Sequence, residues 1–313
     1  MNVYTSRKLV FAVIFLVVIS SAGIYYFSNP GSAGEAEKTV FVKGVAAPLY
    51  PPIWAIEQGK VKVPEGIEFQ KVSGIAKSVQ MAASGKSDTG SASLLRIGYI
   101  KEKNPDLKLV GYGLNANSTY FTIYSRSGSG IDSVEDLDGK AVGLPLSTSI
   151  GVVGEMALKD AGADNITVIN KPFSAMKPLL VSGDVAAAMI PGTHPGLQVV
   201  IQPKRYWEHK YDADLPTGLW YSDGQEHVEE AKRAAELYNR SIRVSFNNIS
   251  KVSQDYKDKT GSNLSKVFRS MKGIYVNELD EEDWKALQSV VDYAYRNGYI
   301  KRDFNLSSLR IGS

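Results

Sequence analysis

The stretch Ile131 to Pro195 decides the fold. It opens on Asp136-Leu137-Asp138-Gly139-Lys140 and continues into Ala141-Val142-Gly143-Leu144-Pro145-Leu146, which reads as a buried strand. The strand stops at Ser147-Thr148-Ser149, and Val152, Val153, Met156, Ala157 and Ala161 then recur at helical spacing, with Gly162 as the stop. A second strand over Ile166–Ile169, a helix capped by Ser174, and a third strand over Val185–Ile190 follow, the last ending at Pro191-Gly192-Thr193. Strand and helix alternating in this way predict a parallel α/β lobe whose strand ends face one crevice, where small molecules bind.

Outward from this stretch, the pattern divides into two similar halves. The first offers strands near Val40–Ala46, Ile67–Val72, Thr89–Ala92 and Leu107–Gly111, with helices at Pro52–Gln58, Ala76–Ala83 and Ser93–Glu102. Ser84-Gly85 and Ser182-Gly183 hold equivalent places, as in a duplicated lobe. Tyr120–Ser125 reads as a strand, Ser127-Gly128-Ser129-Gly130 as a flexible crossing and hinge, and Leu219–Tyr221 as the return. Helices over Gln225–Val244 and Leu279–Arg296 close the chain, the first with Glu226, Glu229 and Glu230 early and Arg240 and Arg243 late, as its dipole prefers.

The order of these motifs resembles the extracytoplasmic solute-binding proteins of ABC importers. Within them it is most similar to the branch that includes alkanesulfonate, taurine, nitrate and thiamin-pyrimidine binders. The residues that carry the resemblance are the Asp136–Gly143 segment, the Ser/Thr-rich helix start, and the small-residue strand ending in Pro191. Val40–Ala46 with Tyr50-Pro51-Pro52, Ser84-Gly85 with Asp88 and Gly90, and the closing helix Trp284–Ile300 agree with it. In the second lobe the expected Asp is Ala186, which leaves Asp184 as the candidate replacement. The resemblance implies a two-lobed periplasmic-binding-protein type II fold, each lobe a mostly parallel sheet flanked by helices. It implies a small-molecule ligand, a membrane permease as partner, a monomer, no cofactor and no catalysis.

Composition agrees with an exported binding domain. The 313 residues, 43% hydrophobic, suffice for two lobes, and the absence of cysteine removes disulfides, thiol nucleophiles and a lipid-modified cysteine. A net charge of +3, with Lys and Arg scattered among Asp and Glu, gives no footprint for nucleic acid. Arg7 and Lys8 precede an uncharged run, Leu9–Phe27, of nineteen residues. That length approaches the roughly 30 Å of hydrocarbon a spanning helix must cross. The preferred reading is an uncleaved anchor through residues 9–27, and the rival is a cleaved signal peptide; both put the body outside the cell membrane. Six sequons, at Asn117, Asn165, Asn239, Asn248, Asn263 and Asn305, tilt the reading toward a glycosylated cell-surface protein. The organisation is then 1–28 anchor or signal, 29–38 linker, 39–124 first part of lobe 1, 125–220 lobe 2, and 221–313 the return to lobe 1 with the C-terminal helices.

The candidate ligand-binding residues are Tyr50, Pro51, Ser91, Ser93, Ser147, Thr148, Ser149, Thr193 and Trp220. Three helix starts, at Pro51, Ser93 and Ser149, bring unpaired N–H groups and hydroxyls to one crevice, an arrangement suited to a sulfonate, carboxylate or oxyanion. Ser93 and Ser149 are also plain N-caps, and Tyr50 and Trp220 are either a flat wall for an organic portion, as a pyrimidine or aromatic vitamin precursor would need, or lobe core. His194, His209 and His227 have no metal-ligand spacing. Gly85-Lys86-Ser87 lacks the first glycine of a phosphate loop, Gln80 standing there. Ser174 with Lys177, Ser222-Asp223 and Lys259-Thr260-Gly261 imitate penicillin-recognising serine enzymes, but Tyr256–Asn263 reads as a loop and not as the strand such an enzyme needs. An enzyme on the same two-lobed fold is the second class of reading.

Overall fold

The computed structural model describes residues 38–45, 50–113, 120–213, 215, 216, 218–263, 265, 268 and 279–312. Thr39–Ser313 forms one compact unit. The apolar run Leu9–Phe27, nearly all of the linker and the Asn117 sequon lie outside the described residues. Among the described residues, no helix is long and apolar enough to cross a membrane.

Among the described residues, ten strands form two five-stranded sheets. The first holds β1 (Thr39–Val45), β2 (Ile67–Ser73), β3 (Thr89–Ala92), β4 (Lys108–Gly113) and β10 (Gly218–Ser222), in the order β2-β1-β3-β10-β4. The second holds β5 (Phe121–Arg126), β6 (Ala141–Leu144), β7 (Thr167–Asn170), β8 (Ala187–Pro191) and β9 (Leu197–Ile201), in the order β7-β6-β8-β5-β9. The order is the same in both: a strand borrowed from across the molecule runs antiparallel to both neighbours, β10 in one sheet and β5 in the other. Each sheet is therefore mixed.

The register repeats as well. Phe41 pairs with Thr89 in the first sheet as Val142 pairs with Ala187 in the second. Asp88 N–H donates to the Val40 carbonyl at 3.0 Å, and Ala186 N–H to that of Ala141 at 2.8 Å. Asp88 additionally accepts the Val40 N–H at 2.6 Å. Asp184 does not replace it in the second lobe, because its carboxylate is exposed and accepts the Ser182 hydroxyl at 2.6 Å within its own turn.

Helices α1 (Tyr50–Glu57), α2 (Ile75–Ala83), α3 (Leu94–Lys103), α4 (Ser149–Asp160), α5 (Phe173–Ser182), α6 (Pro203–Tyr211), α7 (Val228–Asn247), α8 (Ile249–Thr260) and α9 (Glu281–Arg296) flank the sheets. In α7, Val228, Ala231, Ala235, Tyr238, Ile242 and Ser245 recur at three- and four-residue spacing and are buried against the first sheet and α1. α9 starts on a capping box in which Asp280 and Asp283 each accept the other's backbone N–H. Its apolar face joins one core that runs from Leu94 and Ile97 of the first lobe to Val142, Val153 and Met156 of the second. A second core gathers Phe41, Trp54, Trp220 and Tyr238 between the first sheet, α1 and α7.

Several local expectations change. Tyr124 lies mid-strand in the second sheet and Ser127–Gly130 follows it inside that lobe, so the chain crosses between the sheets before Phe121 and again before Gly218. The Asp255-Tyr256 to Lys259-Thr260 run is not a loop but the end of α8, which Gly261 terminates at φ +72°. Ser174 lies within the first turn of α5, whose N-cap is Pro172, so its hydroxyl does not cap. β9 and α6 form although the sequence carries no strong strand or helix period there.

Candidate functional site

In open α/β sheets the crevice that receives a ligand lies outside the C-terminal ends of the parallel strands. In the second lobe this edge is built by the turn from β6 into α4. Thr148, and not Ser149, is the N-cap: its hydroxyl accepts the Gly151 N–H at 3.2 Å and donates to the Pro145 carbonyl at 2.7 Å. Leu146 N–H donates to the Asn170 side-chain carbonyl at 3.1 Å, tying the turn to β7. The turn is so tight that a Cβ on Gly151 would meet the Pro145 carbonyl oxygen at 2.2 Å. Ser147 is exposed at the tip and Ser149 is buried as the first helical residue. The helix end thus presents one free-facing hydroxyl and the partial positive charge of its first turn, while the Thr148 hydroxyl is spent on the cap.

Thr193 is exposed in the turn after β8, which β5 holds in place. Gly192 N–H donates to the Tyr120 carbonyl at 2.6 Å, and the Tyr124 hydroxyl donates to the Gly192 carbonyl at 2.9 Å. His194 Nε2 lies 3.1 Å from the Pro191 carbonyl, with its ring edge-on to Tyr124 at 5.5 Å.

In the first lobe the arrangement differs from the one the helix starts suggested. Pro51 and Pro52 occupy the first turn of α1, so two of its early N–H donors do not exist. Tyr50 is buried, and its hydroxyl binds the Asp255 carboxylate and receives Lys259 Nζ at 3.1 Å. Its ring is packed by Tyr256 and Phe268, at 5.0 and 6.4 Å, and does not form a free wall. The Pro51 carbonyl accepts the Ser245 hydroxyl of α7. Ser93 is the N-cap of α3 by position, yet its hydroxyl makes no capping bond.

Ser91 and Trp220, opposite each other on β3 and β10, meet a residue the sequence reading passed over. Lys43 of β1 is only 2% exposed and donates to the Ser91 hydroxyl. Its ammonium sits over the Trp220 ring, 5.4 Å from the centroid, and over Tyr238 of α7 at 4.7 Å. Burial alone drives its pKa down, to about 7. The signal was available: a lysine amid Val40-Phe41-Val42 and Gly44-Val45 is rare in a strand buried on both faces.

At the opposite end of the first sheet, Asp88, Asp223 and His227 bring three ligand atoms within 4.8 Å of one another, a grouping the histidine spacing did not announce. These atoms already serve the fold. His227 Nδ1 pairs with Asp223 at 2.7 Å, and Asp88 holds the Val40 N–H. The three elements that imitate serine enzymes lie on α5, at the end of β10 and at the end of α8, with Lys259 bound to Tyr50 and Asp255 and the Ser222 hydroxyl donating to the Gly224 carbonyl.

Residues 65–205 match the family described as NMT1/THI5 like. No protein of curated function matches the chain. Among solved structures, the periplasmic aliphatic sulphonate binding protein SsuA from Escherichia coli is 14% identical, with a TM-score of 0.72, over 88% of this chain and 92% of that one. The alkanesulfonate-binding protein SsuA from Xanthomonas axonopodis pv. citri, bound to MOPS, is 15% identical, with a TM-score of 0.62, over 89% and 99%. A protein of Archaeoglobus fulgidus is 18% identical, with a TM-score of 0.61, over 85% and 100%. Residues 65–205 are thus similar to the NMT1/THI5-like family, and the chain carries the two-lobed α/β fold of the periplasmic sulfonate-binding proteins it resembles.

Proposed function

We propose that this chain is the extracytoplasmic solute-binding component of an ABC importer, without catalysis of its own. It captures a small anionic or zwitterionic organic solute, or an oxyanion, between its lobes and delivers it to a membrane permease. The observation that carries the reading is the repeated strand order, which turns the parallel strand ends of two matching sheets, with the Thr148-capped helix start and the Thr193 turn, into a receiving edge. Helix N-termini and hydroxyls neutralise an anion without a mobile counter-charge. Sulfonates are what the Escherichia coli and Xanthomonas proteins are named for. Residues 9–27 anchor the body at the outer face of the membrane or, in the alternative reading, are a signal peptide whose cleavage releases it.

The test is a thermal-shift screen of the protein against sulfonates, nitrate, carboxylates and pyrimidines, followed by small-angle scattering with the compound that binds. Binding of an anion with a smaller radius of gyration supports the reading. A protein stabilised by none of these classes, or turning one of them over, defeats it; a preference for neutral pyrimidines selects the vitamin-precursor alternative.

A further inference from the structure

Lys43, the third residue from the end of β1, is a buried cation beside which, among the described residues, no anion stands. Among the described residues its hydrogen-bond partner is the Ser91 hydroxyl, and no neighbouring charge offsets the effect of its burial. The groups that face it come from three elements: Ser91 on β3, Trp220 on β10 and Tyr238 on α7. Tyr238 is the titratable group among them, and burial holds its hydroxyl protonated.

The same side chains are short of partners. Among the described residues, Trp220 Nε1 and the Tyr238 hydroxyl are buried without a hydrogen bond. Buried polar groups are ordinarily paired, so orphaned donors on the two rings that face an uncompensated cation mark a missing occupant. Its chemistry follows from the donor inventory. Lysine and the indole N–H can only donate, and a serine or tyrosine hydroxyl readily does. What fits is a compact group of several acceptor oxygens carrying negative charge.

We infer that Lys43, with Ser91, Trp220 and Tyr238, binds the anionic group of the solute, a sulfonate, carboxylate or phosphate, on the first lobe. This rests on the solute-binding reading and deepens it. It puts the charge-recognising contacts on the β1 side, with Ser147 and Thr193 of the second lobe closing on the remainder of the solute. Bound anion holds Lys43 as ammonium.

The full chain and its Lys43→Met and Tyr238→Phe variants are titrated calorimetrically at pH 7 with ethanesulfonate, acetate, phosphate and nitrate, and with dimethyl sulfone and thymine as neutral probes. The parent is expected to bind at least one anion with proton uptake, read from the buffer dependence of the heat. Lys43→Met should lose at least tenfold in affinity and the proton uptake, with an undiminished melting temperature. Tyr238→Phe keeps the ring, stays folded and should lose severalfold. A loss below tenfold in Lys43→Met, or anion binding without proton uptake, overturns the inference. Should Lys43→Met fail to fold, undiminished affinity in Tyr238→Phe overturns it. Binding of the neutral probes alone overturns it and leaves the solute-binding reading standing. No binding by any probe overturns it too, and the wider thermal-shift screen then judges the solute-binding reading separately.

Discussion

The carboxylate of Asp88 accepts the backbone N–H of Val40 at 2.6 Å, across 48 residues of sequence. It thereby anchors the start of β1 to the turn that precedes β3. The second lobe has Ala186 at the matching position, and the backbone bond from Ala186 to Ala141 stands there without a side-chain partner. Asp88→Ala should lower the unfolding free energy by roughly 1.5–3 kcal/mol, the usual range for a hydrogen bond to a charged group. Urea denaturation checks it, and a change within about 0.5 kcal/mol would show that water replaces the carboxylate.

The neighbouring pair gives a pH signature. Burial lowers the His227 pKa, but the hydrogen bond its ring donates to Asp223 and the nearby carboxylates of Asp88 and Glu226 outweigh it, so the value stands above the usual 6.5. Burial raises that of Asp223, with the His227 bond opposing it. The His227 contribution to stability is therefore complete below pH 6.5 and disappears as pH rises through its folded value. Asp223 acts in the same sense, losing stability as pH rises from 3.8 toward its own. An NMR titration of the His227 ring should show the raised value, and Asp223→Asn should return it toward 6.5; a midpoint unchanged by that substitution would disprove the coupling.

At the turn from β6 into α4, Thr148→Ala removes the cap and should cost about 1 kcal/mol, while Ser147→Ala, at the exposed tip, should leave stability within about 0.5 kcal/mol. Gly151→Ala should cost more than either, about 2 kcal/mol or beyond, because its Cβ meets backbone and not a movable side chain. Thermal melts rank the three. An order with Ser147→Ala worst would contradict the cap geometry.

Lys43 makes stability depend on pH in the opposite direction to His227. In the unfolded chain it holds its proton up to about 10.5, whereas in the fold it releases it near 7. Stability without ligand should rise with pH across that window by up to roughly 1.4 kcal/mol per unit. Lys43→Met should flatten the slope between pH 7 and 9.5, before the tyrosines titrate. Parallel curves for parent and variant would show that the ammonium is solvated in the fold.

The duplicated α/β order was legible in the residues themselves. Thr89–Ala92 was placed to the residue and β1, β2 and β6 to within one or two, because strand period, helix period and Gly or Pro punctuation are local. The uniform helix of Ile249–Thr260 was missed because few of its residues, Val252 and Ser253 among them, are buried, leaving little apolar stripe to see. Which sheet received Phe121–Arg126, and that Gly218–Ser222 slid between β3 and β4, depended on pairings between residues more than 60 positions apart. The same holds for the site. Hydroxyls at helix starts could be read in order along the chain, but a cap is chosen by which oxygen reaches a backbone N–H, and that geometry gave the role to Thr148 over Ser149. Lys43 was visible as an oddity in an apolar strand. Only packing of α7 on the first sheet, which stacks Tyr238 and Trp220 against its ammonium and shuts out water, makes it a buried charge in want of a partner.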